Sequence, residues 1–177
     1  QPHQVGVAPH AGAPQPAAHS DSDAKTLRVF IFAGQSNMVG THSRVAEIKR
    51  FPPFAELDKP QTRILFSYKL GREQMQSSKG WIALQPNGDS FGPELSFGRR
   101  VSQNIEAPIA IIKCASGGTA LGSDWNPDEP SGFKLYPLAL DVVRSSLAEL
   151  DRKNVAYRIE GFMWHQGEND MFEADYM

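Results

Sequence analysis

With Cys114 as its single cysteine, the chain can form no intramolecular disulfide and encodes no cysteine-based zinc site. Cys114 closes the apolar run "PIAIIKCA", a setting that predicts a buried structural thiol rather than a nucleophile. One thiol leaves the redox compartment open. No apolar run approaches the roughly 20 residues that a membrane-spanning helix needs. An excess of one charge is also missing. The 18 Lys and Arg face 20 Asp and Glu, and no basic run recurs on one face, which argues against nucleic acid as the main partner. The Gly-Lys-Ser/Thr of a phosphate-binding loop is absent, and so is the G-x-S-x-G elbow, since Met38 stands where its second glycine would be. No internal repeat is visible.

Large apolar residues are scarce from residue 1 to about 24. A segment so rich in Ala, Pro, Gln and His cannot bury enough surface to offset its ordering entropy, so 1–24 is expected to be a disordered linker. His3, His10 and His19 are irregularly spaced within it and read as solvated tail residues. The segment has no charged start followed by an apolar core. Because the chain begins with Gln1, either a signal was removed or the sequence is a fragment. At the other end, "WHQGENDMFEADYM" stops in what reads as the start of a helix, so the chain is expected to be cut there.

What is present suits one globular domain over 25–177. Four apolar runs read as strands: "LRVFIFAG" (27–34), "RILFSYKL" (63–70), "PIAIIKCA" (108–115) and "YRIEGFMWHQG" (157–167). Their near-continuous patterns suit a parallel sheet buried on both faces. Two helical patterns lie between them. In "SFGPELSFGRRVSQNIE", Ser90 is the expected cap, Pro93 sits in the first turn, and Phe97, Val101 and Ile105 share a face. In "YPLALDVVRSSLAELDRKN", Leu138, Val142, Val143, Leu147 and Leu150 share a face, with Arg152 and Lys153 suited to the C-terminal end. Alternating strands and helices predict a three-layer α/β/α sandwich with a parallel sheet.

Ligands of open α/β sheets bind at the carboxyl ends of the strands. Three Gly-polar clusters fall at such ends here: "GQSNM" after the first strand, "ASGGTALGSDW" after the third and "WHQGEND" after the fourth. Ser36 stands where a helix should begin, near free backbone N–H groups able to stabilise an oxyanion. Ser36 and Asn37 as plain helix caps are the bland alternative.

Taken together, "FAGQSNMVG", "FGPELSFG", "ASGGTAL…W" and "WHQGEND" resemble the SGNH-hydrolase superfamily. Within it they are similar to the carbohydrate esterases that include sialate O-acetylesterase-like and acetylxylan esterase-like proteins. The resemblance runs from about residue 27 to the end of the chain. It implies an SGNH/flavodoxin-like fold and removal of O-acetyl groups from a carbohydrate through an acetyl-enzyme intermediate, without cofactor or metal. Ser36 matches the nucleophile, with its own N–H facing the oxyanion. Gly92 matches a second oxyanion donor, and Gln166 a third. Gln35 and Asn37 flank the nucleophile. Gly117, Gly118 and Thr119 match a pocket-lining loop, His165 adjoins Gln166, and Glu168 and Asp170 match bracing carboxylates. Glu168 and Asp170 also read as solvated first-turn acids, or as weak evidence for a metal pair.

One departure is serious. The superfamily's base is a histidine in a D-x-x-H block, and no D-x-x-H occurs in this sequence. The base, its aspartate and the last strand and helix are therefore expected beyond Met177. His42 and His165 are the resident candidates, and the motif gives neither an acidic partner. Two other functions stay open: an inactive carbohydrate-binding protein of the same fold, and a flavodoxin-like nucleotide or flavin binder, for which "GQSNMVG" is poor in Ser, Thr and Gly. Trp125 and Trp164 read as packing residues; stacking on a sugar is the alternative for Trp125, which follows a Gly-Ser loop. Such substrates lie outside the cytoplasm, and the Ala/Pro-rich leader resembles a linker left after signal removal, so a secreted or periplasmic location is the expectation.

Overall fold

The computed structural model describes residues 24–172, so the proposed 1–24 linker lies almost wholly outside the described residues, as do 173–177. Strand β1 (Leu27–Gly34) is an interior strand of the sheet. It pairs in parallel with β5 (Ile109–Ala115) on one side and β6 (Tyr157–His165) on the other. Beyond β5 lies β2 (Gln61–Leu70), also parallel. Two short strands, β3 (Gln76–Ser77) and β4 (Ile82–Leu84), join β2 antiparallel. The sequence pattern missed both, because two or three residues are too few to show a period.

Side-chain alternation divides the core into two layers. Phe32 of β1 and Ile109 and Ile111 of β5 face one side, where Phe97 and Val101 of helix α2 (Glu94–Ser102) pack on them. The Phe97 ring meets those of Phe30 and Phe32 edge-on at 5.0 and 5.1 Å. Val29, Ala33, Ala110, Ile112 and Cys114 face the other side, against Val142 and Leu150 of helix α3 (Leu135–Arg152). Each large side chain removed from water in these layers contributes about 1.5–3 kcal/mol. Burial pushes the Cys114 thiol up to about 12, so it stays protonated and inert at neutral pH. Helices on both faces of a mostly parallel sheet make the α/β sandwich that the alternating pattern predicts. Among the described residues no helix is long and apolar enough to cross a membrane.

Two local expectations fail. Ser90 does not cap α2: it bridges to Arg44 and Asn87, and the helix starts after Pro93, whose φ of −64° is already helical. Ile105 then falls beyond the last turn and is exposed. The second failure is β6, whose apolar run predicts burial on both faces. Instead Ile159, Phe162, Met163 and Trp164 are exposed. The reason is position: among the described residues β6 is the outer strand, and α3 packs on β5 and β2 rather than over it. That leaves an apolar groove of about 620 Å³ between α3 and β6, lined by Tyr136, Leu140, Phe162 and Trp164. Among the described residues it is an uncovered flank of the core, and its lining includes Trp125 but neither Ser36 nor Gln166.

The topology fixes where chemistry gathers. After β1 the chain crosses the α2 face, through α1 (Ser36–Val39) and 3₁₀ turns at Val45–Arg50 and Pro52–Asp58, on its way to β2. After β5 it crosses the α3 face to reach β6. Neighbouring strands β1 and β5 thus send their chains to opposite faces, which opens a crevice at their carboxyl ends.

Candidate active site

Gly34 ends β1, and its φ of +155° with no side chain lets the strand run against β6; a Cβ there would lie 2.0 Å from the His165 carbonyl oxygen. The Gln35 N–H donates to that same carbonyl at 3.0 Å. α1 then begins at Ser36, with Gln35 as its N-cap residue and no side-chain capping bond. The Ser36 hydroxyl therefore does not cap the helix; it makes no hydrogen bond among the described residues and is half-buried. The loop after β5 closes over it, with Gly117 so near that an added Cβ would sit 3.6 Å from the Ser36 Cβ.

Gln166 ties the three loops together. Its amide nitrogen donates to Thr119 O at 2.6 Å, and lies 3.1 Å from Gln35 Oε1 and 3.2 Å from Asp170 Oδ2. Its oxygen accepts from Trp125 Nε1 at 3.0 Å and faces Thr119 Oγ1 at 3.3 Å. Thr119 is fully buried and also donates to Ser116 O at 2.9 Å. Asp170 is buried too, and accepts the Leu121 backbone N–H at 2.6 Å. Gly118 O lies 3.5 Å from Asn169 Nδ2, on the rim. Gln166 thus works here as a brace, with both amide hydrogens committed. Gly92 is committed as well: its N–H donates to Glu94 Oε1 at 3.1 Å. Of the three oxyanion donors that the resemblance implies, only the Ser36 N–H has no partner among the described residues.

Asn37 Nδ2 donates to Glu168 Oε1, and His165 Nε2 lies 3.2 Å from the same oxygen. The structure therefore supplies His165 with an acidic neighbour that the motif alone does not reveal. His42 lies exposed in the turn after α1.

A family model described as carbohydrate esterase, sialic acid-specific acetylesterase matches residues 26–176. The chain belongs to that family. A probable carbohydrate esterase of Arabidopsis thaliana is 27% identical over 158 residues, which is 82% of this chain and 55% of the relative. The solved structure of that plant protein superposes with a TM-score of 0.54 at 25% identity, covering 84% of this chain and 60% of the other. A carbohydrate acetylesterase from Xanthomonas citri is a more distant likeness, with a TM-score of 0.44 at 18% identity over 82% of this chain and 33% of the other. The chain thus spans about half the length of the curated relative it matches.

The Glu168 carboxyl belongs to the same cluster. Its partial burial works to raise its pKa, but its own backbone N–H, the Asn37 amide and His165 together hold it below the ordinary carboxylate value of 4.5. A lowered folded pKa means that the contribution to stability is present above the unfolded value and lost as pH falls through the folded one. Glu168→Gln should therefore cost stability at neutral pH, and the gap to wild type should close as pH falls through and below the ordinary carboxylate range. Urea unfolding of both proteins across pH checks this; a gap independent of pH would refute it.

Two buried charges escaped the sequence reading. Glu94 lies in the quoted "FGPE" and Lys113 in "PIAIIKCA", and they pair at 2.6 Å beneath Gly92. The signal was there: a lysine inside an apolar central strand must find a buried partner.

Proposed function

We propose that Ser36 is the nucleophile of a serine esterase that removes O-acetyl groups from carbohydrates. The observation that carries the reading is the placement of an unbonded serine hydroxyl at the sheet's switch point, under the Gly117 loop and beside the Gln166 brace. In this reading the Ser36 oxygen attacks the acetyl carbonyl while a base takes its proton. The carbonyl electrons move onto oxygen, and that oxyanion meets the Ser36 N–H. Gln166 joins as a donor by exchanging Thr119 O for the oxyanion, and the Gly92 N–H by sharing its hydrogen between Glu94 Oε1 and the oxyanion, a tightening that apo geometries often lack. The sugar alcohol leaves with the proton, and water then releases acetate from the serine. This route calls on no metal or cofactor.

The family description favours an O-acetyl sialate over an acetylated xylan. The test is acetate release by the protein expressed from its complete gene, offered acetylated sialate and acetylated xylo-oligosaccharides. Acetate from the sialate supports the reading; sugar binding without acetate from either would favour an inactive binder.

A second reading places the base within this chain, and the His165–Glu168 contact at 3.2 Å favours it. His165→Gln separates the two. A base in a D-x-x-H segment predicts kcat within a few-fold of wild type. A resident base predicts a loss of at least about 10³-fold.

A further inference from the structure

The Glu94–Lys113 pair has no role in the chemistry just described, yet it occupies the most buried polar position in the sheet. The Lys113 side chain is fully enclosed and that of Glu94 is 4% exposed. Burial alone drives the lysine below its ordinary pKa, and Glu94 opposes that by proximity and hydrogen bonding. An apolar pair in such a place is often as stable as an ionic one, so stability alone does not account for these two charges.

Their contacts point to another role. The Lys113 ammonium rises from β5, donates to Glu94 Oε2 at 2.6 Å, and lies 3.3 Å from the Val39 carbonyl at the end of α1. The other Glu94 oxygen accepts the Gly92 N–H at 3.1 Å. A Cβ on Gly92 would sit 2.5 Å from Lys113 Nζ and 2.4 Å from Met38 O, so the Gly92 backbone lies directly on the pair and on α1. On its other side a Cβ on Gly40 would fall 1.8 Å from Phe91 O, with φ at +89°. The helix that starts with Ser36 and the segment that carries Gly92 are thus pressed together with no slack. The pair ties both to the central strand.

We propose that Lys113 and Glu94 are positioning residues: together they fix the Gly92 backbone relative to Ser36. They touch no substrate and transfer no proton. This rests on the esterase reading above. A shift of about 1 Å between nucleophile and oxyanion donor is enough to cost on the order of 10²-fold in rate.

Two double variants of the protein from the complete gene test the proposal, each first checked by thermal melting. Lys113→Met with Glu94→Leu fills the space with carbon and removes the acceptor for the Gly92 N–H. Lys113→Met with Glu94→Gln removes both charges but keeps an amide oxygen in place of Glu94 Oε1. The expected result is that both fold. The first loses about 10–100-fold in kcat with KM within about 3-fold, and the second recovers most of that loss. If both folded variants keep wild-type kcat, the pair is merely structural and the proposal is overturned. Equal kcat losses in both would overturn it too, because restoring the acceptor would then have restored nothing. Loss of the first variant to unfolding leaves the second decisive: its kcat must stay within about 5-fold of wild type when Glu94 is Gln, and fall when Glu94 is Ala beside the same Met. Failure of the esterase reading itself looks different, since Ser36→Ala would then leave acetate release unchanged.

Discussion

Ser36→Ala should abolish acetate release while leaving the fold untouched. The hydroxyl makes no hydrogen bond among the described residues and α1 gains no cap from it, so its removal strands no partner. Melting should therefore stay within about 1 °C of wild type, as expected when no buried contact is lost. Activity is another matter. In serine hydrolases loss of the nucleophile removes a covalent intermediate for which nothing substitutes, and kcat should fall at least about 10⁴-fold. KM should change little, because the small hydroxyl contributes little to ground-state binding. A variant that melts normally and retains a tenth of the activity would remove Ser36 from the mechanism.

Lys113→Met alone should have the largest effect on stability. It leaves the Glu94 carboxylate inside the protein with no ammonium, facing only the Gly92 N–H at 3.1 Å. Breaking one side of a buried ion pair costs about 3–5 kcal/mol. In a chain of this size that corresponds to a fall in melting temperature of about 10 °C or more. Adding Glu94→Leu should return most of the loss, since the stranded charge goes with it. A single variant as stable as wild type would mean that losing the ammonium strands no buried charge at Glu94, contrary to this account. Calorimetry of the single and double variants measures the difference.

Much of this architecture can be read from side-chain periodicity. The β1 run 27–34 is the observed strand, because an interior strand with helices on both faces presents a near-continuous apolar run, interrupted here only by Arg28. The α3 stripe from Leu138 to Leu150 is equally direct, since helical spacing names the residues that face Ile112 and Cys114. Ser36 and Gln166 were visible as polar residues in Gly-containing clusters at strand ends. Less legible was what these residues do to one another. Gln166 binds Gln35 across 131 positions and Thr119 across 47, and spacing along a chain carries no sign of such contacts. The Glu94–Lys113 pair has the same character: its members stand on different elements, and only their shared sheet face joins them. The exposure of β6 was hidden for a different reason. An apolar run records what a strand can bury, and its position at the sheet edge decides how much it does.

The central claim is that Ser36 becomes acetylated during turnover. The direct measurement is mass spectrometry of the protein from the complete gene, quenched in acid within milliseconds of mixing with p-nitrophenyl acetate and digested to the peptide that contains Ser36. The account predicts one added acetyl group on that serine, absent from Ser36→Ala and lost on a longer incubation before the quench. Acetate release with no adduct, or with the acetyl group on another residue, would contradict it.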